Sequence, residues 1–413
     1  MITDFNEEKE IKLLDFIQSN YGLEVFTPGL ERTSALFCRY VDMARAQSVK
    51  TTVIAGTNGK GQTAHTLCYL LETAQLSTSL WTSPHILSLR ERFHVDGLDL
   101  SYEELEIELH KTHNFLKKNH STLHISFYEF LFLVFLRIVF SPDKKRPIQH
   151  LILEVGLGGR LDAVNHFDAD CACITSISRD HQSILGSRFD QILNEKIAVS
   201  RREKPLFTQF KLQYLNQLTA KYCDSHGIDW RPLPVVSDNN YFEENQKMAI
   251  EIFSTYLPQN DIPPQSSLPN FKGRREEMTF NGNTLIFIGA HNIDGIRRMI
   301  ELFSPQTGQN WPDVVLLSFS KRSSNELEVM LKMLLDFFGN KSKVVITGFV
   351  HPKALELNEV ARLENKFNKI NKGLLDFVTD WKAEVSLFKN QKILVCGSYY
   401  FVGEVQRYII SNI

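Results

Sequence analysis

Apolar and polar positions alternate along this chain in two rhythms. Residues 8–21 follow the helical period as an amphipathic opening helix, and Pro28-Gly29 punctuates the chain before a second helical run from Thr33. Residues 51–55 form a short β-branched, apolar run. A glycine-rich segment follows, and 65–74 again suits a helix. The strand signature returns at 79–82, 150–155 and 171–177, each separated by helix-length sequence, which predicts a mostly parallel sheet covered on both faces. The most apolar stretch, 127–140, carries Glu129 and Arg137 and is too short to cross a bilayer, so it reads as a buried helix.

From Leu257 the pattern breaks into L-P-Q-N-D-I-P-P-Q-S-S-L-P-N, a concentration of proline and polar turn formers expected of a linker. Domains of 1–262 and 263–413 follow from it. Beyond the linker, strands are expected at 285–288, 314–317, 343–346 and 393–395, with helices around 296–303 and 326–338. The second domain is therefore a smaller, Rossmann-like α/β unit. The chain shows no internal repeat and no low-complexity tract.

The glycine-rich segment 56–63 reads G-T-N-G-K-G-Q-T and joins the first clear strand to a helix. Glycines turn backbone N–H groups toward phosphate oxygens, the helix N-terminus adds positive potential, and a lysine supplies a point charge. Thr57, Asn58, Gly59, Lys60, Gly61 and Gln62 are the candidate nucleotide contacts, and the N-terminal domain reads as a P-loop-type ATPase fold. The spacing departs from G-x-x-x-x-G-K-[ST], because Gly61 follows the lysine and Gln62 stands where a metal-binding hydroxyl is usual. A glycine-rich turn without a ligand is the plain alternative.

Composition narrows the partners. The 413 residues are 43% hydrophobic and 23% charged, which suits globular domains with real cores, and a net charge of -2 offers no positive field for nucleic acid or an anionic membrane. Small-molecule partners are expected. Six scattered cysteines lack paired C-x-x-C motifs and read as reduced, mostly buried thiols. The acidic start lacks the basic and apolar segments of a secretory signal, so a cytoplasmic location is expected. A monomer is expected separately.

Several ordered motifs then coincide. They are G-L-E-R at 29–32, T-S-P-H at 82–85, Glu91-Arg92, E-V-G-L-G-G-R-L-D-A at 154–163, Asp180-His181, Leu185-Gly186 and Glu195-Lys196. Gly273-Arg274, G-A-H-N at 289–292 and C-G-S at 396–398 continue the series more thinly. With them the chain resembles the folylpolyglutamate synthase and dihydrofolate synthase family, the folate branch of the Mur ligase superfamily. The ten-residue run from Glu154 is its most diagnostic segment.

The resemblance implies an ATP-dependent amide ligase that adds L-glutamate to dihydropteroate, to reduced folates or to both, through an acyl phosphate. It implies catalytic roles for Lys60, Glu154, His181 and Lys196. Ser83 and Glu154 would ligate Mg2+, His181 a second Mg2+, and Lys196, once carbamylated, would become an anionic metal ligand. A monovalent cation belongs to the same expectation. Ser126, Phe127, Tyr128, Glu129, Leu161, Asp162 and Ala163 would meet the pterin substrate, the aromatic pair by stacking and Glu129 through ring nitrogens. Asn245, Arg274 and His291 would meet ATP across a cleft closed by a hinge at the linker.

Read without the resemblance, Lys196 is a surface helix lysine paired with Glu195 or Asp190, His181 a satisfied core or loop histidine, and Phe127 and Tyr128 core aromatics. Four features depart from the family pattern: Gln62, Ser178-Arg179 before Asp180, Ile288 where an aspartate is usual, and 318–325, which retains only Lys321 of a charged signature. They leave open a related ligase with another acceptor, or a folate- or nucleotide-binding homologue without turnover.

Overall fold

Two separate β-sheets organise the chain, one in each of the compact units Met1–Pro269 and Asn270–Ile413. The computed structural model describes residues 5–142, 147–235, 240–303, 311–371 and 373–412.

In the first unit the strands are β1 (Lys50–Ala55), β2 (Thr78–Trp81), β3 (Phe93–Val95), β4 (Leu98–Asp99), β5 (His150–Glu154), β6 (Cys171–Ile174), β7 (Pro205–Thr208) and β8 (Asp229–Pro232). They lie in the order β4-β3-β2-β5-β1-β6-β7-β8, with all pairs parallel except β2–β3 and β3–β4. The helices are α1 (Glu7–Tyr21), α2 (Leu30–Ala46), α3 (Lys60–Thr73), α4 (Tyr102–Asn119), α5 (Phe127–Val139), α6 (Gln182–Leu185), α7 (Phe189–Ile197), α8 (Gln213–His226) and α9 (Tyr241–Tyr256).

Strand alternation explains the layers. Val53 and Ala55 of β1 join the core beneath α1, α2, α4 and α5, whereas Ile54 between them faces α3 and α9. Helix α5 is buried nearly all round, as its apolar sequence requires, with Phe130, Phe132 and Phe135 each 0% exposed.

The central order β5-β1-β6 places a switch point at β1, whose two neighbours arrive through different crossovers. In open α/β sheets such a point forms a crevice at the carboxyl ends of the strands. Strand β6 ends at Ile174, three residues short of the expected 177. Beyond it, Thr175 and Ser176 turn their hydroxyls onto the Asn58 carbonyl, at 2.7 and 3.0 Å, while their backbones still bond Ala55 and Thr57.

The second unit contains β9 (Arg274–Phe280), β10 (Asn283–Ile288), β11 (Val314–Leu317), β12 (Lys343–Thr347), β13 (Leu375–Val378) and β14 (Lys392–Cys396), in the order β13-β12-β11-β14-β10-β9. Only the edge strand β9 is antiparallel. Helices α10 (Ile293–Leu302), α11 (Ser324–Phe338), α12 (Leu357–Asn371), α13 (Trp381–Leu387) and α14 (Tyr399–Ile410) complete it. Ile288 is 2% exposed at the end of β10, so its side chain serves this core. All six cysteines are free, and five of them are buried.

Candidate active site

The loop after β1 is held open by its neighbours. Gly59 caps α3 with φ 93°, a left-handed conformation that a side chain resists, and an added Cβ would stand 2.3 Å from Asn245 Oδ1. The Thr57 N–H donates to the Ser176 carbonyl at 2.9 Å, and the Asn58 N–H to Ser176 Oγ at 2.9 Å. Thr57 Oγ1 both donates to the Ser178 carbonyl and accepts from its N–H. Lys60 opens α3, half-buried, with Nζ 3.3 Å from the Thr57 carbonyl.

Glu154 ends β5 beside this loop, its backbone level with Ile54 of β1. The carboxylate is 3% exposed. Its Oε2 accepts from the Ser83 N–H at 3.2 Å and from Thr82 Oγ1, both in the segment leaving β2. Among the described residues no cation pairs with Glu154, and Oε1 accepts no hydrogen bond. A buried carboxylate with one free oxygen invites a positive charge, and Ser83 and Glu154 together offer the hard oxygen donors that Mg2+ or Mn2+ takes. Thr82, which sequence reasoning did not single out although it stands inside the T-S-P-H motif, is thus a direct hydrogen-bond partner of Glu154.

Lys196 overturns the surface-lysine reading. It is 3% exposed, and Nζ donates to the carbonyl of Gly56, the first residue of the loop, at 2.9 Å. Burial, aided by the charge of Lys60, pushes its ammonium down to about 7. The packing that buries it joins two motifs: the Arg160 N–H donates to the Glu195 carbonyl at 2.7 Å, and a Cβ on Gly159 would meet that oxygen at 2.8 Å. Glu195 pairs with Arg160 at 2.9 Å rather than with Lys196. His181 stands apart from this buried set. It is 51% exposed, with φ 49°, and its N–H donates to the buried Asp180 carboxylate at 2.9 Å.

No family model matches the chain. The dihydrofolate synthase/folylpolyglutamate synthase of Escherichia coli (strain K12) is 38% identical over 412 residues, covering 92% of this chain and 91% of that protein. The chain belongs to the dihydrofolate synthase/folylpolyglutamate synthase family. The bifunctional Yersinia pestis folylpolyglutamate synthase/dihydrofolate synthase complexed with AMPPNP and Mn ion has the same fold, with a TM-score of 0.75 at 22% identity over 96% of this chain and 97% of that one. Mycobacterium tuberculosis folylpolyglutamate synthase, complexed with ADP and AMPPCP, gives 0.78 at 19% identity over 97% and 98%.

Within this dihydrofolate synthase/folylpolyglutamate synthase member, the substrate candidates divide into two groups. Ser126 and Glu129 form the capping box of α5, where Glu129 Oε2 accepts from the Ser126 N–H at 2.7 Å and Oε1 pairs with Arg32. Phe127 is a core residue, 3% exposed. Tyr128 instead joins Asp162: its hydroxyl accepts from Trp81 Nε1 at 3.0 Å and donates to Asp162 Oδ1 at 3.1 Å. Asp162 also accepts the N–H groups of Gly156, Leu157 and Val164. Burial pushes its carboxyl up to about 6 despite these four donors. Ala163 is buried against it and Leu161 is half-buried.

Two of the nucleotide candidates hold each other. Asn245 Nδ2 donates to Gln62 Oε1 at 2.8 Å, and Gln62 Nε2 donates to the Phe242 carbonyl at 3.1 Å, so the unusual glutamine fastens α3 to α9. Gly61 is buried in the same first turn. Arg274 and His291 lie in the second unit. Arg274 begins β9 with its guanidinium on the Lys272 carbonyl, and the His291 ring lies 5.0 Å from that of Tyr399.

Proposed function

We propose that this chain is an ATP-dependent ligase joining L-glutamate to dihydropteroate, to reduced folates or to both. The buried, half-committed Glu154 carboxylate beside a phosphate-type loop carries this reading. A phosphoryl-transfer site accumulates negative charge, and such a site needs cations placed before the substrate arrives. Glu154 and Ser83 are the residues suited to hold Mg2+. By the family pattern His181 would hold a second ion, and Lys196, once carbamylated, would offer an anionic oxygen at its own buried position beside Gly56. The ions supply charge neutralisation at the phosphates.

The N–H groups at the start of α3, together with Lys60, orient the triphosphate. A carboxylate oxygen of the pterin substrate attacks the γ-phosphorus and ADP leaves. The glutamate amine then attacks the acyl carbon, breaks the C–O bond and releases phosphate. The lowered pKa of Lys196 keeps a neutral amine in reach at ordinary pH, the form that adds to carbon dioxide to give a carbamate and a proton. Tyr128 and Asp162, locked by Trp81 and three backbone donors, offer a rigid polar wall for the flat substrate.

Gln62 fastens α3 to α9 and Ile288 fills the core of the second unit, so each departure has a packing role in this chain. Among the described residues no helix is long and apolar enough to cross a membrane. A monomeric cytoplasmic enzyme acting on small molecules is the reading in keeping with the chain's near-neutral charge. The test is phosphate release from ATP with Mg2+. Release that needs both glutamate and either dihydropteroate or a reduced folate supports the ligase, whereas nucleotide binding without release under every combination refutes it.

A further inference from the structure

At the end of α3 remote from the phosphate loop, polar side chains from four elements converge. Cys68 and Glu72 are one helical turn apart and share a face. His94 of β3 brings Nε2 to 2.8 Å from Glu72 Oε1, and Cys68 Sγ lies 3.3 Å from the same oxygen. All three ligand atoms fall within 4.8 Å of one another. Asp99 of β4 engages the other ring nitrogen, with Nδ1 at 3.1 Å, and Thr78 Oγ1 of β2 donates to Glu72 Oε1 at 2.7 Å. The Asp96-Gly97 turn, with φ 55° and 79°, folds β4 back to deliver Asp99.

Thiolate, imidazole and carboxylate on one point are a borderline-soft donor set. A carboxylate behind the histidine is the usual second partner of a zinc-bound imidazole. We propose that Cys68, Glu72 and His94 form a zinc site, with Asp99 orienting His94 and the fourth position taken by water. Cys68 is buried, while Glu72 and His94 are half-buried, so the cluster keeps a solvent side for that water.

A tetrahedral ion would set S···O near about 3.6 Å and N···O near about 3.4 Å, from ordinary zinc bond lengths. The Cys68–Glu72 pair would spread by about 0.3 Å and the His94–Glu72 pair by about 0.6 Å from their present 3.3 and 2.8 Å. The exchange conserves charge: Zn2+ replaces the thiol proton of Cys68 and one imidazolium proton of His94. Helical rise puts Cys68 about 12 Å from Lys60, so the site is separate from the phosphate loop. An ion there would tie the β3–β4 hairpin to α3, and with it the return of the segment that carries Ser83.

The experiment uses the full chain stripped by chelator and titrated with Co2+, read by the near-ultraviolet thiolate-to-cobalt absorption band. One equivalent should give the band, and Zn2+ should displace it. Cys68→Ser should abolish the band, His94→Gln should weaken binding by tenfold or more, and Asp99→Asn by about tenfold to a hundredfold. Asp99→Asn and His94→Gln change half-buried groups, so they decide the matter if Cys68→Ser does not fold. Absence of the band, or a band with unchanged affinity in these variants, overturns the proposal.

Discussion

Replacing Lys196 by methionine separates stability from turnover. The side chain is buried and its ammonium lies at about 7, against an ordinary 10.5. That difference corresponds to about 5 kcal/mol at 1.36 kcal/mol per unit. It is an upper bound, and loss of the bond to Gly56 returns about 1 kcal/mol. Lys196→Met should therefore stabilise the first unit by roughly 2–4 kcal/mol at pH 6, since a methionine fills similar volume. The sign follows from proton binding. Below about 7 both states of the native chain carry the proton and the cost of burial is fully present. Above that point the unfolded state holds the proton longer, so the native chain gains stability as pH rises toward 10.5.

The advantage of the variant should shrink by about 3 kcal/mol between pH 6 and 9.5. Urea unfolding in bicarbonate-free buffer, followed by fluorescence with Trp311 and Trp381 of the second unit replaced by phenylalanine in both chains, reads it. Turnover should fall at least about a hundredfold at every pH. A variant no more stable than the native chain at pH 6, with a difference flat in pH, would refute the burial argument. Native turnover in Lys196→Met would remove the residue from the chemistry.

Other substitutions probe the remaining parts. Lys60→Ala should cut turnover at least about a hundredfold while changing the unfolding free energy in urea by no more than about 0.5 kcal/mol, because the side chain is half-buried and makes one weak bond. Glu154→Gln keeps the shape but removes the charge, and steady-state phosphate release should again fall about a hundredfold or more. Gly159→Ala sets a Cβ against the Glu195 carbonyl, a backbone atom that cannot swing aside, so the unfolding free energy in urea should drop by about 1–3 kcal/mol.

Local sequence carried the sheet well where strands were long or fully apolar. Val314–Leu317 forms as its pattern predicts, and the buried helix begins at Phe127. Strands β3 and β4, of three and two residues, are too short to show a period; the Asp96-Gly97 turn was their signal. Strands β7 and β8 each carry a proline at one end, which masked them. Lys196 shows the limit most clearly. Its helix looks amphipathic and solvent-facing, and the amine is buried by tertiary packing that sets it against the Gly56 carbonyl 140 positions away. Gln62 likewise looked like a defect in a phosphate loop until its amide met Asn245 across 183 positions of sequence.

The most direct test follows the atoms. Dihydropteroate labelled with 18O in its carboxylate is incubated with ATP, glutamate, Mg2+ and the native chain, and the released phosphate is analysed by mass spectrometry. An acyl phosphate requires one labelled oxygen to leave in phosphate for each amide bond formed. Unlabelled phosphate accompanying amide formation would contradict that route, and phosphate released with no amide formed would contradict the ligase itself.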